Sequence, residues 1–290
     1  MAVRIACDSS ADLGKEFYEK HNVGVMPYII VLGDKNYTDG ETISVEEIFD
    51  YVDKTKQLPK TAALNEYMFR DFFEKHYDDE GLVYFNLSSK ITSTYENAMA
   101  ASKHFDKVHV VDSLSLSSGV GMLVRYACQL AESGATYEEI IEKVENRKQY
   151  VQASFILDRL DYLHKGGRCS SLQLLGANLL KLHPSIQVTS EGKMQMNKKY
   201  RGKMFDIVHK YIDDTLEEYN NPDLEFCFIT HTARTDQVIV DSAIATAKAH
   251  GFKQIFETTA SATISCHCGR NTIGILYFND GGANNTKTTD

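Results

Sequence analysis

A chain of 290 residues with 43% hydrophobic side chains can form one large domain or two ordinary ones around a sizeable core. Its formal charge of −9 argues against nucleic acid as a main partner, although a local basic patch remains compatible with it. No stretch approaches the roughly 18 apolar residues of a membrane span. The opening MAVRIACDSS has no signal-peptide pattern, so a cytoplasmic location is expected.

Residues 3–7 read as a buried strand that ends on Asp8, Ser9 and Ser10. A second apolar run spans 23–32, and the Gly33-Asp34 turn makes 29–37 a hairpin. Ser44-Val45-Glu46-Glu47 fits a capping box at the head of a helix. Pro59 makes 58–61 extended. A helix over 66–76 buries Phe69, Phe72 and Phe73.

The stretch 82–103 organises the chain. An apolar run of strand length, 82–87, leads into Ser88, Ser89, Thr92, Ser93, Thr94 and Tyr95, and a helical pattern starts near Thr94. Such a joint lies beyond the carboxyl end of a sheet, where open α/β sheets bind ligands. Free N–H groups at the helix start favour an anion. There is no GxxxxGK pattern, so a nucleotide P-loop is a poor fit and a carboxylate or phosphate suits the hydroxyls better. The same residues could equally serve as an ordinary N-cap and polar loop.

A strand over 108–111 again ends on Asp-Ser, at Asp112-Ser113, and is followed by helices over 121–132 and after the Thr136–Glu139 capping box. Alternating strands and helices indicate a Rossmann-like parallel sheet. The second half differs. A strand over 152–157, a short helix over 160–163 and a flexible basic loop, Lys165-Gly166-Gly167-Arg168, precede an apolar helix over 172–182. A hairpin turns at Glu191-Gly192; helices follow at 203–219 and 235–250, with strands at 226–230, 254–257 and 272–278. This pattern indicates a mixed or antiparallel sheet with helices on one face. The expected division is an N-terminal α/β domain, 1–158, an α+β domain, 159–280, and a disordered tail, 281–290.

The six cysteines are scattered apart from Cys266-His267-Cys268. No second cluster with zinc-finger spacing accompanies that triplet, so reduced, buried thiols are expected and no metal or cofactor. The Gly-x-Ser-x-Gly elbow and His-Glu-x-x-His are both absent. Asp8/Ser9 and Asp112/Ser113 read as loop caps or as nucleophile sites. His267 reads as a structural histidine or a site residue. Arg168 and Arg201 read as solvated or as contacts for a partner.

Taken in order, these residues resemble the DegV family of bacterial fatty-acid-binding proteins. The resemblance covers about 1–280 and is carried by Cys7-Asp8-Ser9-Ser10, Tyr37-Thr38-Asp39-Gly40, Lys60-Thr61, the 88–95 joint, Val111-Asp112-Ser113, Leu163-His164-Lys165-Gly166-Gly167-Arg168, Arg201 and His267-x-Gly269. It implies two α/β domains with a long-chain fatty acid such as palmitate between them, its tail in one domain's interior and its carboxylate on hydroxyls at the interface. Carried over by position, Thr61, Thr92 and Ser93 become carboxylate ligands and His267 their support, with no catalytic residue. Arg168 and Arg201 become contacts for a separate fatty acid kinase subunit. Here Thr92-Ser93-Thr94 replaces the family's usual Ser-Gly-Thr, Ala62 stands where Ser is common, and Arg270-Asn271 replaces Pro-Gly. Arg270 is then expected to add a second positive group at the site.

Two hypotheses follow. A carrier fits the energetics: burying a palmitoyl-sized tail is worth on the order of 12 kcal/mol gross, at about 0.8 kcal/mol per CH₂, against association costs of at least about 4 kcal/mol. The tail then sets affinity and the hydroxyls set orientation. The alternative is a phosphoryl- or acyl-transfer enzyme using Asp8, Asp112 and His267. A closed apolar tunnel favours the first, and an open polar cleft with those three side chains converging favours the second.

Overall fold

The computed structural model describes residues 2–169 and 182–285. In chain order the first part runs β1 (Arg4–Asp8), α1 (Lys15–Lys20), β2 (Gly24–Met26), β3 (Ile29–Leu32), β4 (Lys35–Thr38), α2 (Val45–Thr55), β5 (Lys60–Ala62) and α3 (Glu66–His76). It continues through β6 (Leu82–Asn86), α4 (Thr94–Ser102), β7 (Val108–Asp112), α5 (Ser118–Glu132) and α6 (Tyr137–Arg147). Then come β8 (Val151–Ile156), α7 (Asp161–Gly166), β9 (His183–Val188), β10 (Met194–Tyr200), α8 (Met204–Glu218), β11 (Phe226–His231), α9 (Gln237–Ala249), β12 (Gln254–Thr259), α10 (Ala262–Cys268) and β13 (Ile273–Phe278).

These strands build a parallel four-stranded sheet, β2-β1-β6-β7, and a mixed six-stranded sheet, β10-β9-β8-β13-β11-β12, in which only β11 and β12 run parallel. A small antiparallel sheet, β4-β3-β5, stands beside them. β6 is buried at every position, as a strand covered on both faces of a parallel sheet must be. On one side α3 packs Phe69, Phe72 and Phe73 around the Tyr84 ring at centroid distances of 5.3–5.9 Å.

α5 lies between the two large sheets, touching β1 and β6 of one and β8 and β13 of the other. Its close approach depends on Gly121, where a Cβ would fall 2.4 Å from the Ala11 carbonyl oxygen. The main core is therefore continuous across both sheets, from Val83 and Phe85 to Phe155 and Leu276. A second core lies under α8 and α9 on the outer face of the six-stranded sheet. A third joins β3 and α2 to Tyr162, Ala262 and Cys266.

The α/β architecture matches the expectation, as do both capping boxes and the 29–37 hairpin. Four details differ. β8, inside the expected 1–158 unit, pairs with β9 and β13, so sheet membership changes before Val151. The six-stranded sheet has helices on both faces, because α5 covers the side opposite α8 and α9. Lys165 and Gly166 close α7, with Gly167 as its left-handed C-cap (φ 68°), so the basic loop is partly helical. Gly281–Asn285 is folded back: buried Arg147 donates to Asp223, Asp280 and Asn285, and the Tyr126 hydroxyl donates to the Asn284 carbonyl. Residues 286–290 and 172–181 of the expected tail and apolar helix lie outside the described residues.

Candidate functional site

The β6–α4 joint forms one wall of the site, and hydrogen bonds from the ends of β1 and β7 and within the joint hold it. Asp8, at the end of β1, accepts from the backbone of Leu87 (2.7 Å) and Ser10 (3.0 Å), from the Ser10 hydroxyl (2.5 Å) and from the Tyr28 hydroxyl (3.4 Å). Asp112, at the end of β7, accepts from the backbone of Ser89 (3.1 Å) and Leu114 (3.2 Å). Thr92 accepts from the Thr94 backbone (3.2 Å), and the two threonine hydroxyls pair at 2.7 Å. Both also interact with the Tyr28 hydroxyl. The two Asp-Ser pairs are thus loop caps: Ser9 donates to Asp39 and Ser113 to the Ser115 carbonyl.

The opposite wall comes from β5, α7 and α10. Asp39 receives the Ala262 and Thr263 backbone N–H groups at the start of α10 (3.0 and 3.1 Å), and its Oδ2 also accepts the Thr263 and Ser9 hydroxyls. Asp12 receives the Ser261 N–H (2.9 Å) and the Ser117 hydroxyl (2.5 Å). Burial raises the pKa of both carboxyls, that of Asp12 to about 7. Asp8 is raised by the same cause to about 6. Thus fixed, α10 presents His267 to β5, with Nε2 3.0 Å from the Thr61 hydroxyl. Burial, and secondarily the Arg168 charge, push the His267 pKa down to about 4, so the ring is neutral at physiological pH.

Between the walls lies a cavity of about 50 Å³. Its polar groups are Thr61, Thr92, Tyr28, Thr263, His267 and Arg168; Leu87, Ile91, Leu116, Leu163, Met194 and Ile264 line the rest. A second cavity of about 20 Å³ shares Leu116, Ile264 and Cys268 with it and continues past Phe155 and Leu276 of the six-stranded sheet. The two cavities adjoin at these shared walls, and the second carries the hydroxyls of Ser154, Thr230, Thr232 and Thr272 beside its apolar side chains. Cys268 borders it as a buried thiol whose pKa burial raises to about 12, so it stays protonated and is a weak nucleophile. Cys266 packs into a different core from Cys268, and no metal-binding group of three or more His, Cys, Asp or Glu occurs among the described residues.

Thr61, Thr92, His267 and Arg168 are therefore brought to one cavity. Ser93 is not: it is the exposed N-cap residue of α4 and lies outside the cavity lining. Arg201 lines a separate surface groove with Lys199 and Lys210. Arg270, expected at the head group, instead pairs with Asp53 of α2 (2.6 Å) and covers the Phe49 ring. Both Asp8 oxygens accept from loop N–H and hydroxyl groups, Asp112 Oδ1 accepts two loop N–H groups, and neither residue lines the cavity beside His267. Sequence reasoning missed Tyr28, Thr263 and Met194. Nothing local marks Tyr28 or Met194, but Ser261 before Thr263 is an N-cap signal and Gly269 a stop signal.

The family model described as the uncharacterised DegV family matches residues 2–280. The chain belongs to the DegV family. A curated relative, a fatty acid-binding protein of Thermotoga maritima, is 32% identical over 228 residues, which is 75% of this chain and 78% of that protein. Among solved structures, a fatty-acid-binding DegV family protein from Thermus thermophilus superposes with a TM-score of 0.86 at 24% identity, covering 96% of this chain and 99% of the other. A DegV lipid-binding protein from Thermotoga maritima gives 0.83 at 26% identity, covering 96% and 98%. This DegV chain shares with them the parallel and mixed sheets described above.

Proposed function

We propose that this DegV-family protein binds a long-chain fatty acid without transforming it. Thr61 and Thr92 hold the carboxylate, and the acyl tail runs past Leu116, Ile264 and Cys268 toward Phe155. The observation that carries this reading is the Thr61–His267 hydrogen bond in a cavity whose other walls are mainly Leu87, Ile91, Leu116, Leu163, Met194 and Ile264. A neutral histidine leaves the carboxylate as the one new formal charge between the threonines, with Arg168 at the edge of the cavity as its counter-charge. Palmitate and similar acids fit this chemistry, and the Thermotoga maritima relative is named for binding fatty acid. A full-length tail requires side chains to swing aside, and unbranched Met194 is the least costly to move.

The absence of transformation is part of the proposal. Asp8 and Asp112 are engaged as loop caps, Cys268 is held protonated, and His267 beside the Thr61 hydroxyl is a weak base because its pKa is lowered to about 4. A carrier of this kind works in the cytoplasm and presents the carboxylate to a separate fatty acid kinase subunit. Exposed Arg168 at the cavity, and Arg201 in its own groove, supply the contacts on an otherwise acidic protein. Native mass spectrometry of protein purified from a bacterial host tests the reading. One acyl chain per protein is expected, replaceable by palmitate after delipidation. Apoprotein that takes up neither palmitate nor oleate would overturn it.

A further inference from the structure

Thr61 has a single hydroxyl hydrogen, and His267 Nε2 lies 3.0 Å from its oxygen. If Nε2 is the acceptor, Thr61 gives its hydrogen to the ring and can only accept from a ligand, which an anion cannot satisfy. If Nε2 carries the proton, the ring donates to Thr61 and leaves the hydroxyl hydrogen for a carboxylate. What lies at the other ring nitrogen decides between these. His267 Nδ1 is buried and has no hydrogen-bond partner among the described residues. It faces the last residue of α7, Gly166, where a Cβ would fall 2.6 Å away. An N–H pointed there would be an orphaned donor, the rarer defect in buried sites, whereas a bare nitrogen leaves an unused lone pair against the Gly166 backbone.

We infer that Gly166 is a positioning residue: its missing side chain seats the His267 ring against the α7 backbone in the Nε2–H form, so that His267 donates to Thr61 and Thr61 donates to the ligand. This rests on the fatty-acid reading for the identity of the carboxylate. It goes beyond that reading in assigning a function to the Gly-Gly-Arg element and a proton to one ring nitrogen. Arg168 reinforces the arrangement, since its nearby charge opposes a second proton on the ring.

Long-range ¹⁵N–¹H correlation spectra of delipidated protein labelled at histidine nitrogens test this, with the His267 signals assigned by their loss in His267→Gln. The wild type is expected to show Nε2 protonated and Nδ1 bare. Gly166→Ala should disturb that pattern and weaken palmitate binding at least tenfold. His267→Gln, whose amide nitrogen can donate from the Nε2 position, should retain more affinity than His267→Leu. An Nδ1–H tautomer in the wild type would overturn the inference. So would a Gly166→Ala protein with a lower melting temperature but unchanged spectrum and affinity, which is the signature of packing alone. A wild type that shows the Nε2–H form yet binds no palmitate would instead refute the fatty-acid reading and leave the tautomer assignment standing.

Discussion

The two walls of the cavity are built in opposite ways. The lining of the β6–α4 wall comes from one segment: Leu87, Ile91, Thr92 and Thr94 lie within eight consecutive positions, and Thr92 is oriented by its neighbour two residues on, with Asp8 of β1 anchoring the segment's start. The β5–α7–α10 wall is assembled from distant segments. Thr61 and His267 are separated by 206 positions, and Asp39 reaches the start of α10 across more than 220. A local wall keeps its geometry as long as its loop is intact. A distant wall depends on a few buried anchors, and damage to one of them moves the whole helix. The hydroxyl-rich joint is thus a platform, and α10, held at its start by Asp39 and Asp12, places His267 opposite it.

Removing an anchor should show the contrast most strongly. Asp39→Ala leaves two α10 N–H groups and the Thr263 and Ser9 hydroxyls without their acceptor. A loss of roughly 3 kcal/mol or more in unfolding free energy is expected, read by urea titration. Palmitate binding should fall in the protein that remains folded. A loss below about 1 kcal/mol would mean that α10 does not depend on this carboxylate.

A comparable effect follows from pH. The His267 pKa is lowered from an ordinary value near 6.5 to about 4, so between those values the unfolded chain binds the extra proton and the native state does not. Stability contributed by neutral His267 is complete above about pH 6.5 and is lost as pH falls toward 4, by up to about 3 kcal/mol. Asp8 and Asp12 act with the opposite sign. Their raised pKa values give stability at low pH that is lost as pH rises from about 4 toward 6 and 7. The difference between wild type and His267→Gln isolates the histidine: it should shrink on acidification from pH 6.5 to 4. A flat difference would place the ring in solvent.

Smaller effects sharpen the description of the local wall. Thr92→Val should weaken palmitate binding by about 1.5–3 kcal/mol, the worth of one charge-assisted hydrogen bond. Ser93→Ala, at an exposed N-cap that makes no side-chain cap bond, should change affinity and stability by less than about 0.5 kcal/mol. Equal effects at the two positions, measured by calorimetry, would mean that the joint presents Ser93 to the ligand after all.

What the sequence disclosed divides along the same line. The capping boxes at Ser44 and Thr136, the phenylalanine face of α3 and the hydroxyl joint are local patterns, and all are legible in a linear reading. α10 was not, since seven residues give too few turns for a periodic signal, although its N-cap Ser261 and Gly269 stop were present. Family resemblance put Thr61 and His267 at one site, but nothing local reports their contact across 206 positions. Arg270 was misplaced for a related reason. Its partner, Asp53, lies on α2, whose packing against α10 no sequence pattern announces. Between Thr92 and Ser93 the sequence does not choose: in a dense run of hydroxyls, the turn geometry decides which side chains face the cavity, and here Thr92 lines it while Ser93 is exposed.

In the proposed complex Thr61 holds the carboxylate of a fatty acid whose tail passes Leu116, Ile264 and Cys268. Calorimetric titration of delipidated wild type and Thr61→Val with palmitate tests it most directly. The account predicts saturable one-to-one binding by the wild type, weakened in the variant by about 1.5–3 kcal/mol, or roughly ten- to a hundredfold, with the fold intact. Equal affinities would remove Thr61 from the head-group site, and no heat of binding in either protein would contradict the account as a whole.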